Sequence, residues 1–252
     1  MPFQPHTVLI TGGATGIGRG LAEALHARGS KVIVAGRRHD LLAQLCAQHP
    51  GMHAQTLDVA SAESIRAAVR ELTQSHPKLD CVINNAGMQR SVDLGAEAPA
   101  PLDFANAELD ANVRGLMMMC AAFVPHLRTA RGATLINVTS GLAFSPMASV
   151  PVYCATKAAV RSFTLSLRLQ LRPVGIRVIE LIPPAVQTDL HDYMGPHGKQ
   201  VGMPLDAFMA EALAGLDRGD DEVAVGHAKQ GLAASHAAFD ATFASMNSRR
   251  DG

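Results

Sequence analysis

The run Thr7-Val8-Leu9-Ile10-Thr11 passes directly into Gly12-Gly13-Ala14-Thr15-Gly16-Ile17-Gly18, and a helical pattern begins at once. No other feature of the chain restricts its fold so far. A short β-branched and apolar run that ends in glycines reads as a buried strand. Glycines at 12, 13, 16 and 18 let the backbone turn sharply and approach an anion closely. Ile17, Leu21, Ala24 and Leu25 then begin a helix whose N-terminal amides and dipole favour a pyrophosphate. The spacing is TGxxxGxG, not GxGxxG, so the strand before and the helix after carry the argument.

The same alternation continues along the chain. Short apolar runs at Thr7–Thr11, Lys31–Ala35, His53–Asp58, Cys81–Asn84, Thr134–Thr139, Arg177–Leu181 and Glu222–Gly226 are expected strands. Helical stretches are expected near 17–28, 39–48, 61–75, 103–128, 152–172 and 204–217, with a further helical stretch over 232–246. Strand and helix in alternation imply an α/β chain with a parallel sheet covered on both faces. The expectation is a doubly wound Rossmann fold of seven strands, mostly parallel, in one domain over residues 1–252. Right-handed crossovers place the ligand crevice at the carboxyl ends of the strands. The glycine turn, Asn84-Asn85-Ala86-Gly87, Ser140 and Pro183-Pro184 all fall at those ends.

Tyr153 and Lys157 lie four residues apart in a helical stretch, and Ser140 ends the strand before it. Residues at i and i+4 share a helix face. A free phenol titrates near ~10 and exchanges its proton reluctantly at neutral pH. A neighbouring ammonium is expected to favour the phenolate and bring the tyrosine into range for acid–base work. Taken alone, Tyr-x-x-x-Lys is equally a helical surface pair; Ser140 just upstream favours the catalytic reading.

These motifs, in this order, resemble those of the short-chain dehydrogenase/reductases over nearly the whole chain. Within that family the stretch Ser140–Thr164 and Ile182-Pro183-Pro184-Ala185-Val186 resemble a subgroup of oxidoreductases encoded beside teichoic-acid D-alanylation genes. The resemblance implies Ser140, Tyr153 and Lys157 as catalytic residues, with Asn112 holding a water in a proton relay that reaches Lys157. It implies cofactor contacts from Thr11, Gly12, Gly13, Thr15, Gly16, Ile17 and Gly18, from Asp58 and Val59 at adenine, and from Asn85, Ala86 and Gly87. Tyr153 and Lys157 also meet the cofactor in this reading, as do Pro183, Val186 and Thr188 beyond the sixth strand. Asn112 reads alternatively as a buried asparagine satisfying helix backbone, and Asp58 as a turn residue. Pro184 stands where the family commonly has glycine, so that loop meets the nicotinamide differently, since proline fixes φ and lacks an amide donor.

The expected chemistry is hydride transfer between NADP(H) and a carbonyl or secondary alcohol, with Tyr153 as general acid and base. NADP(H) is expected over NAD(H) because Lys31–Ala35 runs into Gly36-Arg37-Arg38, where an NAD site needs a carboxylate for the ribose hydroxyl. Arg37 is the expected phosphate ligand and Arg38 its support. Two other readings stay open: an epimerase or dehydratase relative, and a non-catalytic NADP(H)-binding regulator. Only about 25 residues remain beyond the last expected strand, few for the substrate domain that the former carries.

Equal numbers of basic and acidic side chains, 22 each, exclude an obligate nucleic-acid partner on charge grounds. The four cysteines are scattered without metal spacing, and reduced thiols in a cytoplasmic protein are expected. No metal is expected. Met1–His6 lacks the charged start of a signal peptide, and no apolar run reaches the ~18 residues of a membrane span. Leu142, Phe144, Pro146, Met147, Val150, Val186 and Leu190 are expected to make an apolar substrate pocket. Gln89 and Arg90 are candidates for a polar or anionic substrate group, with Arg90 alternatively a solvated loop charge. His191 is a weaker candidate, since a lone loop histidine is usually exposed. The glycine- and proline-bearing stretch from Thr188 to Pro204 reads as a lid over substrate. Small and apolar residues on more than one face of 103–128 and 152–172 imply a homodimer or homotetramer.

Overall fold

Each strand of the sheet splits its side chains between two cores, because successive residues of a strand point to opposite faces. In the computed structural model, which describes residues 2–98 and 100–236, Val8 and Ile10 join one core and Leu9 the other. Val32 and Val34 oppose Ile33 and Ala35 in the same way. One core is closed by Leu21, Leu25, Leu42, Leu45, Phe208 and Leu216, the other by Ile65, Leu72, Leu116, Phe123, Val160 and Leu167. Strands buried on both faces explain why the sequence shows continuous apolar runs rather than alternation.

The strands are β1 (Thr7–Thr11), β2 (Lys31–Gly36), β3 (His53–Thr56), β4 (Cys81–Asn84), β5 (Thr134–Val138), β6 (Arg177–Ile182) and β7 (Glu222–Ala224). They form one sheet in the order β3-β2-β1-β4-β5-β6-β7, and every neighbouring pair is parallel. The expected doubly wound α/β fold is therefore the observed one. The strand order reverses between β1 and β4, which sets a crevice above their carboxyl ends. The main helices are α1 (Gly16–Ala27), α2 (His39–Gln48), α3 (Ala62–Ser75), a single turn α4 (Asn106–Glu108), α5 (Leu116–Leu127), α6 (Pro151–Leu171) and α7 (Leu205–Arg218).

The expected helix over 103–128 is interrupted. Residues Leu109–Gly115 are π-helical, wider than the α-helix on either side. Such a turn inserts one residue and is concentrated at functional sites; here it carries Asn112. Residues 228–236 are helical, and the rest of the stretch expected over 232–246 lies outside the described residues. Among the described residues no helix is long and apolar enough to cross a membrane.

Two buried polar networks lock α6 and the turn after β5 to the sheet. Asn84 donates to Asn137 at 2.9 Å and Asn137 donates to Thr164 at 3.0 Å, joining β4, β5 and α6. Arg161 of α6 bonds both Glu180 and Glu222, Thr139 donates to Glu180 at 2.7 Å, and the Phe144 ring lies 4.4 Å under the guanidinium. Thr139 and Phe144 flank the Ser140 turn, so this cluster fixes the place where the serine emerges.

Candidate active site

The glycine turn is built against the loop after β4. Thr11 Oγ1 accepts the amides of Asn85 and Ala86, each at 3.0 Å. Asn85 Nδ2 returns a bond to the Thr11 carbonyl at 2.9 Å. Gly12 has φ +65°, and a Cβ there would sit 2.9 Å from Asn85 Nδ2. A Cβ on Gly18 would collide with the Gly12 carbonyl oxygen. Thr15 precedes α1 but does not cap it. Its hydroxyl instead takes a bond from Arg38 Nη2 at 3.1 Å. The first amides of α1 are left for an anion, and no acidic side chain stands in its first turn.

A cavity of about 1270 Å³ crosses the carboxyl ends of the strands. Its wall includes Thr11, Gly12, Thr15, Gly16, Ile17, Arg37, Arg38, Asp58, Val59, Asn85, Ala86 and Gly87 at one end. Ser140, Tyr153, Lys157, Pro183, Pro184, Val186 and Thr188 continue it. Gly13 and Gly18 shape the turn from beneath and are not in that wall: the Gly13 amide bonds Ala35 at 3.2 Å. Asp58 is indeed a turn residue, accepting the Ala60 amide at 2.9 Å, and it faces the cavity as well.

Lys157 and Tyr153 are both buried, with Lys157 Nζ 5.5 Å from the phenol ring centre. The ammonium donates to the Val138 carbonyl at 2.9 Å, and burial lowers its pKa to about 8. Burial pushes the Tyr153 phenol well above its ordinary value, partly offset by a hydrogen bond with Ser140. The expected depression of Tyr153 by Lys157 is thus corrected. Burial is the dominant cause and disfavours the charged form of each group, so the phenol rises while the lysine falls.

Asn112 stands behind this group. Its Oδ1 accepts the Met88 amide at 2.9 Å, and its Nδ2 donates to the Met88 carbonyl at 2.9 Å and to Thr156 Oγ1 at 3.1 Å. A Cβ on Gly87 would lie 3.2 Å from Asn112 Oδ1 and 3.7 Å from Lys157 Nζ. The asparagine therefore shares a corner with the lysine, but its side-chain amide is already spent on the loop.

Of the residues expected to flank substrate, Leu142, Met147, Val186 and Leu190 line the cavity. Val150 packs behind Tyr153 in a small core, and Phe144 serves Arg161 instead. Pro146 is exposed and not part of the wall. Gln89 and Arg90 are both in the wall, the first buried and the second exposed. Met88, Tyr193 and Met194 line it too and were not anticipated. The stretch expected as a lid folds into short helical turns over Asp189–Gln200, broken at Gly195. His191, expected to be exposed, is buried in the cavity wall.

Known proteins resemble this chain in sequence and fold. The model for short chain dehydrogenases matches residues 6–197. The chain is 36% identical to the uncharacterised oxidoreductase DltE of Bacillus subtilis, over the full length of both. A short-chain dehydrogenase of Burkholderia cenocepacia, solved in complex with NADP, superposes with a TM-score of 0.80 at 28% identity, over 98% of each chain. The reductase for 3-ketoacyl-(acyl-carrier-protein) of Brucella melitensis, solved with NADH, gives 0.74 at 28% identity, over 85% of this chain and 91% of that one. A sheet wound in this order, a glycine turn tied to the β4 loop, and a family match across residues 6–197 make this chain a member of the short-chain dehydrogenase family.

Proposed function

We propose that the protein is an NADP(H)-dependent oxidoreductase that interconverts carbonyl compounds and secondary alcohols. The observation that carries this reading is the meeting of Ser140, Tyr153 and Lys157 on one wall of a cavity whose far end is the glycine turn. The residues fit a dinucleotide: the α1 amides are uncapped, Gly12 leaves room for close approach, and Arg37 and Arg38 stand at the end of β2. When bound, the nicotinamide supplies or receives the hydride.

The chain's own residues supply the proton and the positioning. Tyr153, protonated at neutral pH, gives its proton to the carbonyl oxygen and takes it back in the reverse direction. Ser140 donates a hydrogen bond to the same oxygen, its hydroxyl already oriented by the Leu142 amide at 3.1 Å. Lys157 holds the ribose and replenishes the phenol. Asn112 places the Met88 loop beside Lys157, and with its side chain engaged, any relay water is held by its main-chain carbonyl. Thr188, packed against Gly16, closes the nicotinamide end, with Pro183, Pro184 and Val186 beside it. A pure binder has no use for a buried phenol paired with a serine, which sets aside the regulator.

The test is NADPH oxidation monitored at its absorbance band against a panel of ketones and aldehydes. Turnover of at least one, with the alcohol as product, is expected; a wholly inert panel that includes aromatic, aliphatic and hydroxylated carbonyls overturns the reading.

The reading extends to a cytoplasmic homodimer or homotetramer. Ala155, Ala158 and Ala159 of α6 are all exposed, as is Leu169 on the same helix, and Leu109 is exposed before α5. Small residues let a second helix approach closely, and apolar ones reward it. Light scattering at micromolar concentration should give twice or four times the chain mass, and a monomer there contradicts the assembly.

A further inference from the structure

Two buried polar atoms in the cavity wall lack a hydrogen-bond partner. Gln89 is 8% exposed and His191 is 6% exposed, yet Gln89 Oε1 and His191 Nδ1 bond nothing among the described residues. Buried polar groups are almost always paired, so two orphans in one cavity point to a missing ligand group. Neither belongs to the proton-transfer set.

The backbone that carries each residue is held in place. Asn112 grips both backbone groups of Met88, and Glu108, one turn earlier on the same helical face, takes the Arg90 amide at 3.3 Å. Gln89 lies between these two anchors. In the Asp189–Gln200 turns, the His191 carbonyl packs so tightly on Gly198 that a Cβ there would collide with it, and the Asp189–Lys199 ion pair at 2.8 Å closes the segment. Leu190, the preceding residue, packs on the cluster that contains Tyr153. Gln89 in turn lies two residues beyond Gly87, which borders Lys157. Both orphans therefore belong to the cavity whose wall carries Ser140, Tyr153 and Lys157.

On this basis, and resting on the carbonyl reduction proposed above, we infer that Gln89 and His191 form a paired subsite reading a neutral hydroxyl on the carbon next to the carbonyl. The preferred substrates are α-hydroxycarbonyl compounds with an apolar remainder. Burial lowers the His191 pKa, so the imidazole is neutral at neutral pH and presents one donor and one acceptor. An amide likewise offers both. A hydroxyl, which donates and accepts, satisfies the pair, whereas a carboxylate cannot donate to an acceptor. Leu142, Met147 and Leu190 take the apolar part.

The test compares acetophenone, α-hydroxyacetophenone and phenylglyoxylate with the NADPH-saturated full chain. The wild type should prefer α-hydroxyacetophenone in kcat/KM over acetophenone by about ten- to a hundredfold, as expected when buried hydrogen-bonding groups are otherwise left unpaired. In Gln89→Leu and His191→Phe that ratio should collapse towards one, and His191→Gln, which keeps a donor and an acceptor, should restore part of it. A ratio unchanged in both variants, or a wild type that favours phenylglyoxylate, overturns the subsite while leaving carbonyl reduction standing. Should no carbonyl turn over, the function fails separately, and nitrogen-15 spectra still decide the subsite. The ring nitrogens of His191, assigned by their loss in His191→Phe, must move when α-hydroxyacetophenone is added, and unmoved signals overturn the inference.

Discussion

Tyr153→Phe is expected to lower kcat for carbonyl reduction by about 10²–10⁴-fold, the usual contribution of a positioned general acid. NADPH affinity should change little, because the ring that packs among Val150, Cys154, Leu142 and Leu190 is kept and only the transferable proton is lost. The direction of the pKa shift adds a second signature. Burial holds the phenol protonated beyond its usual range, so the acid form needed for reduction is the resting form at neutral pH. Alcohol oxidation requires the phenolate, whose population grows as pH rises. The wild-type oxidation rate should therefore climb with pH through the alkaline range, and the residual rate of Tyr153→Phe should not share that climb. Stopped-flow traces of both directions, with cofactor binding measured by fluorescence, check each part. Equal reduction rates in the two proteins would remove Tyr153 from the mechanism.

Local rules account for the features that were legible in the chain before its fold was known. The β1 run, its glycines and the start of α1 are contiguous, so strand, turn and anion-binding helix end can be read in one pass. The doubly wound arrangement was legible too, because parallel crossovers have one hand and the ligand loops must gather at one edge. Ser140, Tyr153 and Lys157 were recognisable from their order, and the fold brings them to one wall. The π-helical turn was not legible, since one inserted residue leaves the apolar pattern of 103–128 nearly intact. It accompanies a tertiary contact, the bond between Asn112 and the Met88 backbone, that no local pattern announces. The burial of His191, named only as a weaker candidate, was not legible because it lies in a stretch without periodicity, where burial depends on the fit of Gly198 against its carbonyl. The tyrosine's pKa was misjudged because spacing reports which charges are near and not how little water remains around them.

Arg37→Asp is expected to turn the cofactor preference around. In the wild type, NADPH should bind about ten- to over a hundredfold more tightly than NADH, the equivalent of one charge-assisted hydrogen bond at roughly 1.5–3 kcal/mol. The geometry at the end of β2 favours this sign. Arg37 and Arg38 both line the cavity, and Arg38 is steadied over the glycine turn by Thr15 at 3.1 Å. Asp40, the carboxylate nearest in sequence, is fully exposed and lies nearest His39 at 3.7 Å rather than on either guanidinium. An arginine that grips a phosphate bidentately cannot do the same for a ribose hydroxyl, whereas an aspartate accepts from that hydroxyl and repels the phosphate. The substitution therefore removes an attraction and adds a repulsion for NADPH, while it creates a contact for NADH. Two titrations on wild type and variant, read as the ratio of dissociation constants, separate the outcomes. A wild type indifferent to the 2′-phosphate, or a ratio that Arg37→Asp leaves unmoved, would show that the phosphate is not held at the end of β2.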